Sequence, residues 1–548
     1  MKTFQKLFGV FFLSLFVPVQ AQAQNLPGEV RDEFKIVQQN PLLPISDGDY
    51  FGASVAPIHL LNHQMVRYWA VGAHFDSTVD HQAGAVWILN LTATGSLIQA
   101  HRIIPTGVGW KDHFGSSLCN LGDLDGDGNE DLAVGAVLDD DGTGNAGAVY
   151  ILFLDAQGLL KSFQKISQTS GGFQGTLGDD DHFGKSLALL QGFPASAPPK
   201  LAVGTWQDEL GGSVTNNYGA IYILDLSPTG TVLQTTKIDA STTCLAGSIQ
   251  PGDHFGGAVA SLGDLDFDGF PEIAVGAPST QINQVATGAI WILSLDPVTN
   301  LPVSCQQIAG GVGGFQGQLS SMDNLGLSLI ALPDLNGDCV TDLAAGTEDN
   351  GTSSNEGAVW ILFLNPGKQV AGHQKIGSQD GNFQGPLSAH DCFGSSLAYV
   401  GDLEGDGYPN LAVGTPRDDT GGSGSTSEIG AVYGLNLEQV PPTELCLQPP
   451  WPGIANQVNR MVAYGATPNG IVLFLWGLRS GTSTAPGCPG LTVDITHPNN
   501  AGFLNADSEG IVRLERLVPA GASGRKIFLQ AVDQSHCLIS NLIVQQFQ

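Results

Sequence analysis

Positive charge is scarce in this sequence. Its 548 residues hold 21 Lys and Arg against 52 Asp and Glu, a formal net charge of −31. A surface this acidic repels nucleic acid and anionic lipid and favours metal cations or basic partners, so no nucleic-acid function is expected. Helical patterning is missing as well. No segment sustains an apolar period of 3.6, which excludes a helical solenoid. Charged residues are only 13% while hydrophobic ones reach 42%, which excludes a disordered chain. Nucleophile elbow, zinc-protease helix and phosphate loop are all lacking.

Long apolar runs are confined to the start. Lys2 and Lys6 precede the run from Leu7 to Val17, and Ala21-Gln22-Ala23 offers a small-residue cleavage site. Residues 1–23 are therefore expected to be a signal peptide, with a secreted or cell-surface product and no transmembrane segment after cleavage. Eight cysteines permit disulfides in that compartment. Cys488 and Cys537 are a plausible pair. Cys119, Cys244, Cys305, Cys339 and Cys392 share no common position and carry no pairing.

Glycine, at 73 residues, is plentiful, and it punctuates a repeat. Phe51-Gly52, Phe114-Gly115, Phe183-Gly184, Phe255-Gly256, Leu325-Gly326 and Phe393-Gly394 open six units about 70 residues apart. Each unit then carries Ala-Val-Gly or a near variant, as at Ala70-Val71-Gly72 and Ala133-Val134-Gly135. Gly-Ala with alternating apolar residues follows, as at Gly84-Ala85-Val86-Trp87. These segments are short, rich in β-branched and aromatic residues, and bounded by Gly, Asn and Asp, so they read as strands. A fourth segment such as His101-Arg102-Ile103 or Gln164-Lys165-Ile166 follows most units, but none follows the last. Phe34-Lys35-Ile36 stands alone before the first unit. A ring uses it to complete the final blade and remove a sheet edge. The expectation is an all-β fold: a six-bladed β-propeller over residues 24–440, closed by an N-terminal strand.

Past Pro441-Pro442 the repeat stops and charge balances, with six basic residues (Arg460, Arg479, Arg513, Arg516, Arg525, Lys526) against six acidic ones (Glu444, Asp494, Asp507, Glu509, Glu515, Asp533). Apolar segments at 470–476, 491–495, 510–514 and 526–532 suggest a small β-sandwich over 441–548.

The negative charge concentrates in four nine-residue loops between first and second strands. The second unit has Asp123, Asp125, Asp127, Asn129 and Asp131 at alternate positions. The fourth has Asp264, Asp266, Asp268, Phe270 and Glu272; the fifth has Asp334, Asn336, Asp338, Val340 and Asp342; the sixth has Asp402, Glu404, Asp406, Tyr408 and Asn410. Oxygens at positions 1, 3 and 5 can converge on a cation, with a carbonyl at position 7 and a side-chain oxygen at position 9. An all-oxygen set of this size suits Ca²⁺, so up to four Ca²⁺ ions are expected. Cys339 replaces the position-6 glycine and Asn410 the last carboxylate, which points to weaker binding in units 5 and 6. Gln64-Met65-Val66-Arg67 and Pro194-Ala195-Ser196-Ala197 leave units 1 and 3 without a metal.

These markers and insertions resemble the FG-GAP repeat of integrin α chains over roughly residues 34–438. The resemblance implies a β-propeller, the same calcium-ligand positions, and a ligand face opposite the calcium loops. It departs in having six units where that family has seven, and an integrin-style heterodimer is not expected. The resulting expectation is a non-enzymatic adhesion or ligand-binding protein that takes a protein or glycan. The alternative is a secreted propeller enzyme, a hydrolase or quinone-type dehydrogenase, with its site at the central channel. A convergent His, Arg and carboxylate cluster on the axis would favour the enzyme; an open apolar or acidic loop face would favour binding. The acids of Asp139-Asp140-Asp141, Trp206-Gln207-Asp208-Glu209, Glu348-Asp349-Asn350 and Arg417-Asp418-Asp419 lie on the candidate ligand face. Asp112-His113, Asp181-His182 and Asp253-His254 recur in three units, and that repetition argues for a structural role.

Overall fold

The computed structural model describes residues 26–546 apart from 38–41, 59–66, 191–197, 210–215, 267, 269, 349–354, 420–427, 441–444, 448–457, 468, 507–511, 520–524 and 541–542. The leader, the Pro441-Pro442 boundary and most of the metal-free loops of units 1 and 3 lie outside the described residues.

Among the described residues, six four-stranded antiparallel sheets follow the six repeats. The second blade is representative, with strands Phe114–Gly122, Asp131–Ala136, Ala148–Leu154 and Leu160–Ile166 in spatial order. In the sixth, Ser396–Gly401, Asn410–Thr415 and Ala431–Leu437 are completed by Val30–Ile36, with Phe34 opposite Gly434 and Ile36 opposite Val432. The strand read from Phe34-Lys35-Ile36 is thus the outermost strand of the last blade.

Glycine sets the contact between blades. The carbonyl of each Phe-Gly or Leu-Gly glycine abuts the Ala-Val-Gly glycine of the preceding blade. A Cβ on Gly72 would lie 2.0 Å from the Gly115 oxygen, and one on Gly414 would lie 2.0 Å from the Gly52 oxygen. Gly52 and Gly115 also hold φ of 91°, which a side chain resists. Ser54, Ser117, Ser186, Ser328 and Ser396 donate their hydroxyls to the same carbonyls, those of Gly115, Gly184, Gly256, Gly394 and Gly52, at 2.6 to 2.9 Å. The bond from Ser396 to Gly52 joins the last blade to the first, and the ring closes. Only the fourth blade lacks this serine, with Ala258 in its place.

The core lies between blades. Each of six apolar clusters draws on two neighbouring sheets; one joins Val86, Ile88 and Ile103 of the first to Phe114, Leu132 and Tyr150 of the second. The Phe-Gly phenylalanines Phe51, Phe114, Phe183, Phe255 and Phe393 are fully buried there, each contributing about 2 kcal/mol. Fourth-strand cations lie over third-strand aromatics, Lys165 over Tyr150 and Lys237 over Tyr222.

Among the described residues the C-terminal strands form three sheets, a two-stranded one of Ser480–Thr484 with Thr492–Ile495 and two larger ones that face each other. Cys446–Leu447, Val458–Tyr464 and Val512–Leu517 make one of these; Asn499–Asn505, Ile471–Gly477, Lys526–Asp533, Leu538–Ile539 and Ile543–Gln546 make the other. Leu447, Met461 and Leu514 meet Val472, Phe474 and Leu529 between them. Cys488 and Cys537 are bonded, as their place in the sequence suggested. Two further disulfides carried no sequence signal: Cys244–Cys305, and Cys339–Cys446, which ties the fifth blade's acidic loop to the C-terminal region.

Candidate functional site

The acidic loops begin where the first strand of a blade ends, and Gly126 (φ 79°) and Gly128 (φ 89°) allow the tight winding in the second blade. Asp123, Asp125 and Asp127 bring one carboxylate oxygen each within 4.8 Å of one another. Amides of the loop fix them: Gly128 donates to Asp123 at 2.8 Å, Asp127 to Asp125 at 3.1 Å, and Asn129 to Asp127 at 2.9 Å. Asp402, Glu404 and Asp406 converge in the same way in the sixth blade, and Asp264, Asp266 and Glu272 in the fourth, with Asp268 outside that group. Three carboxylates at this spacing repel one another unless a cation sits among them.

Position 9 plays a part the sequence did not suggest. Its side chain accepts the position-2 amide: Leu124 to Asp131 at 3.0 Å, Leu265 to Glu272 at 2.6 Å, Leu335 to Asp342 at 2.8 Å, and Leu403 to Asn410 at 2.8 Å. The loop is stapled to the strand by its own last residue. Burial pushes Asp131 up to about 6 and Glu272 up to about 7, against the pull of those amides. Asp342 is driven well above its ordinary value for the same reason.

The fifth loop differs. Asp334 accepts the amides of Gly337 and Cys339 at 2.7 Å each, and Asn336 donates its side-chain amide to Asp338 at 3.1 Å. Cys339 is bonded to Cys446, so the sulfurs beside Asp334 are not free thiolates. Gln439 and Val440 donate to the Asp334 and Leu335 carbonyls. This loop anchors the chain as it leaves the propeller.

Lysines stand in two of the clusters. Lys161, from the outer hairpin of the second blade itself, reaches Asp125 at 3.3 Å and also Asp127, whose carboxyl it holds below the usual range. In the fourth blade Lys368 lies 2.9 Å from Asp266 and 3.0 Å from Glu272. Both lysines come from outer hairpins, which places hairpins and acidic loops on one side of the ring.

On the opposite side the blade acids serve the scaffold. Asp76, Asp139, Asp208 and Asp418, each 1–3% exposed, pair with the fourth-strand cations Arg102, Lys165, Lys237 and Lys35 of their own blades. Asp139, Asp208 and Asp418 are therefore inward struts and not free ligand-face groups. Asp112, Asp181 and Asp253 also have a structural task. Each accepts the amide three residues before it, from Gly109, Gly178 and Gln250, and Asp49, Asp323 and Asp391 do the same in the other blades.

The residues after those aspartates converge. Tyr50, His113, His182, His254, Asn324 and Cys392 precede the six glycine pairs, all with φ between 54° and 59°. Trp206 donates its indole N–H to His182 Nδ1 at 2.9 Å, and His113 packs on His74 and Phe75. Lys185 lies 4.6 Å from the centre of the Trp206 ring. Its charge is felt by His74, His182 and His254, and Glu348 opposes the desolvation that lowers its own pKa. Arg417 sits over Tyr50, whose hydroxyl donates to Glu428. Burial, the largest cause in each case, holds His74 down at about 3 and His113 and His182 at about 4. The imidazoles are neutral at physiological pH. The only sequence signal for this cluster was the position before each glycine pair.

A closed ring of four-stranded antiparallel sheets is a β-propeller. The FG-GAP repeat family matches residues 114–152 and 255–293, the second and fourth units. The chain is similar to integrin α-4 of Xenopus laevis, 29% identical over 160 residues, which is 29% of this chain and 14% of that protein. It is also similar to integrin α-6 of Gallus gallus, 26% identical over 257 residues, or 47% of this chain and 21% of that one. Phosphatidylinositol-glycan-specific phospholipase D of Bos taurus is 27% identical over 172 residues, 30% of this chain and 19% of its own length. The chain thus spans about a fifth or less of these relatives, and it carries integrin-α-like FG-GAP repeats. Among the described residues no helix is long and apolar enough to cross a membrane.

Proposed function

We propose that this chain is an exported, calcium-stabilised propeller that binds a protein or glycan on the face opposite its acidic loops and performs no catalysis. In this reading residues 1–23 are the leader, 24–440 the propeller and 441–548 a β-sandwich, and the product is secreted or displayed at the cell surface. The observation that carries it is the convergence of Asp123, Asp125 and Asp127, repeated by Asp402, Glu404 and Asp406 at the same place in another blade. Carbonyls of Asn129 and Tyr408 would complete those cages. Ca²⁺ there would stiffen the loop that joins the first two strands. The three disulfides support the exported assignment. The integrin α relatives support ligand binding. Capture of extracellular proteins and glycans on the immobilised full chain, with Ca²⁺ and with chelator, tests it. Binding that ignores both chelation and Asp123→Asn would separate the metals from recognition.

A second reading has one observation in its favour. His74, His113, His182, His254, Lys185, Arg417 and Glu348 gather at the axial mouth, where a propeller enzyme would keep its site. The phospholipase D relative gives that reading a precedent by name. Hydrolase and quinone-dependent dehydrogenase assays on the wild type and on Lys185→Met decide between the two. Activity lost in that variant would establish the enzyme.

A further inference from the structure

Five outer hairpins join third to fourth strands within a blade, and each turns through one residue in the left-handed region. That residue is Gly95, Gly158 or Gly230 in the first three blades, but Asn300 in the fourth and Lys368 in the fifth (φ 72°, 75°, 75°, 60° and 61°). Glycine adopts this conformation without cost and residues with a Cβ resist it. The hairpin tips lean on the preceding blade, so Cβ atoms on Gly95 and Gly230 would press against Phe34 and Ile151. The two departures from glycine both reach carboxylates there. Asn300 donates to Asp225 at 3.4 Å, the buried partner of Lys200, whose ammonium lies 2.7 Å away. Lys200 occupies position 9 of the third blade, the blade without an acidic loop.

Lys368 goes further. Its ammonium donates to Ser294 at 2.6 Å and lies 2.9 Å from Asp266 and 3.0 Å from Glu272. Its side chain is 12% exposed and that of Glu272 is fully buried. Lys161 in the second blade is 38% exposed, starts from its own blade, and touches only partly exposed carboxylates. Water and salt screen that pair, so a divalent ion can displace it. Displacing Lys368 would strip a buried carboxylate of its counter-charge and leave a backbone held in a costly turn for nothing.

We propose that the Lys368 ammonium is the resident cation of the fourth blade's acidic loop and excludes Ca²⁺ from it. Blades 3 and 4 then carry built-in ammonium groups, while the converging carboxylates of blades 2 and 6 stay open to an ion. The proposal refines the calcium reading given above but is tested independently of it.

Bound Ca²⁺ is counted by equilibrium dialysis of the full chain. Asp264→Asn, a near-isosteric change that leaves Lys368 untouched, is expected to keep the wild-type count, whereas Asp123→Asn lowers it by one. Lys368→Gly, with the residue of three sibling hairpins, is expected to gain one ion, and adding Glu272→Gln removes that gain. A count lowered by Asp264→Asn in the wild-type background overturns the proposal, and so does an unchanged count in folded Lys368→Gly. Should Lys368→Gly fail to fold, the Asp264→Asn arm decides alone. A wild type with no bound ion and a Lys368→Gly chain with one would sink the calcium reading of blades 2 and 6 and leave this proposal standing.

Discussion

The second and fourth blades share a loop pattern and matched the same family, yet they are built differently. In the second, three carboxylates converge at the surface and the nearest lysine is partly exposed to water. In the fourth, the carboxylates reach inward to a buried Glu272 and a lysine from the next blade fills the space. The fourth also lacks the inner-strand serine and has Gln307 where other blades place the cation over the aromatic ring. One motif can therefore be served by an ion from solution or by an ammonium from the chain. Burial decides which is kept, because a charge removed from water needs a fixed partner.

The largest effect should come from breaking that fixed partner. Lys368→Met leaves Glu272 and Asp266 without a counter-charge and is expected to destabilise the propeller by about 3 kcal/mol. Lys161→Met should leave the urea midpoint unmoved. Equal losses in the two variants would erase the contrast between the blades.

Next is the inner-strand serine. Ser117→Ala removes the bond to the Gly184 carbonyl and is expected to cost about 1 kcal/mol. Ala258→Ser offers the fourth blade the missing donor toward Gly326 and should raise its thermal midpoint. A fall would show that the fourth blade packs too tightly for the hydroxyl.

Calcium comes third. If each open site binds with a Kd of about 10⁻⁴–10⁻³ M, millimolar Ca²⁺ stabilises the chain by roughly 0.5–1.5 kcal/mol per site. Calorimetry with and without Ca²⁺ should show that rise, reduced in Asp123→Asn and unaffected by Asp264→Asn.

A pH-dependent effect is expected at the axial mouth. His74 is held neutral by burial down to about pH 3, while an unfolded imidazole takes a proton near 6.5. Between those values the unfolded chain binds the extra proton, so this group's contribution to stability falls as pH falls. The connector carboxylates Asp49 and Asp112, raised to about 6 by burial, act in the opposite sense. The difference in midpoint between wild type and His74→Phe isolates the histidine and is expected to shift toward the variant from pH 7 to pH 5.

Much of the fold was legible because its causes are local. Phe-Gly, Ala-Val-Gly and Gly-Ala mark where a buried ring, an abutting glycine and a third strand must fall, and the orphan Phe34-Lys35-Ile36 required a partner. The acidic loops were equally plain, since alternate oxygens on a tight turn need nothing distant. What escaped depends on neighbours far away in sequence. Nothing near Lys368 announces Glu272, and nothing near Cys339 announces Cys446. The acids of Asp139 and Asp208 looked like free loop groups because their lysines come from the outermost strand. The axial imidazoles meet only once the ring has closed.

Anomalous diffraction from crystals of the full chain grown in millimolar Ca²⁺ tests the central claim most directly. Calcium peaks are expected among Asp123, Asp125 and Asp127 and among Asp402, Glu404 and Asp406, with the Lys368 ammonium still between Asp266 and Glu272. Second and sixth loops free of any peak, or a peak beside Glu272 with Lys368 turned away, would contradict it.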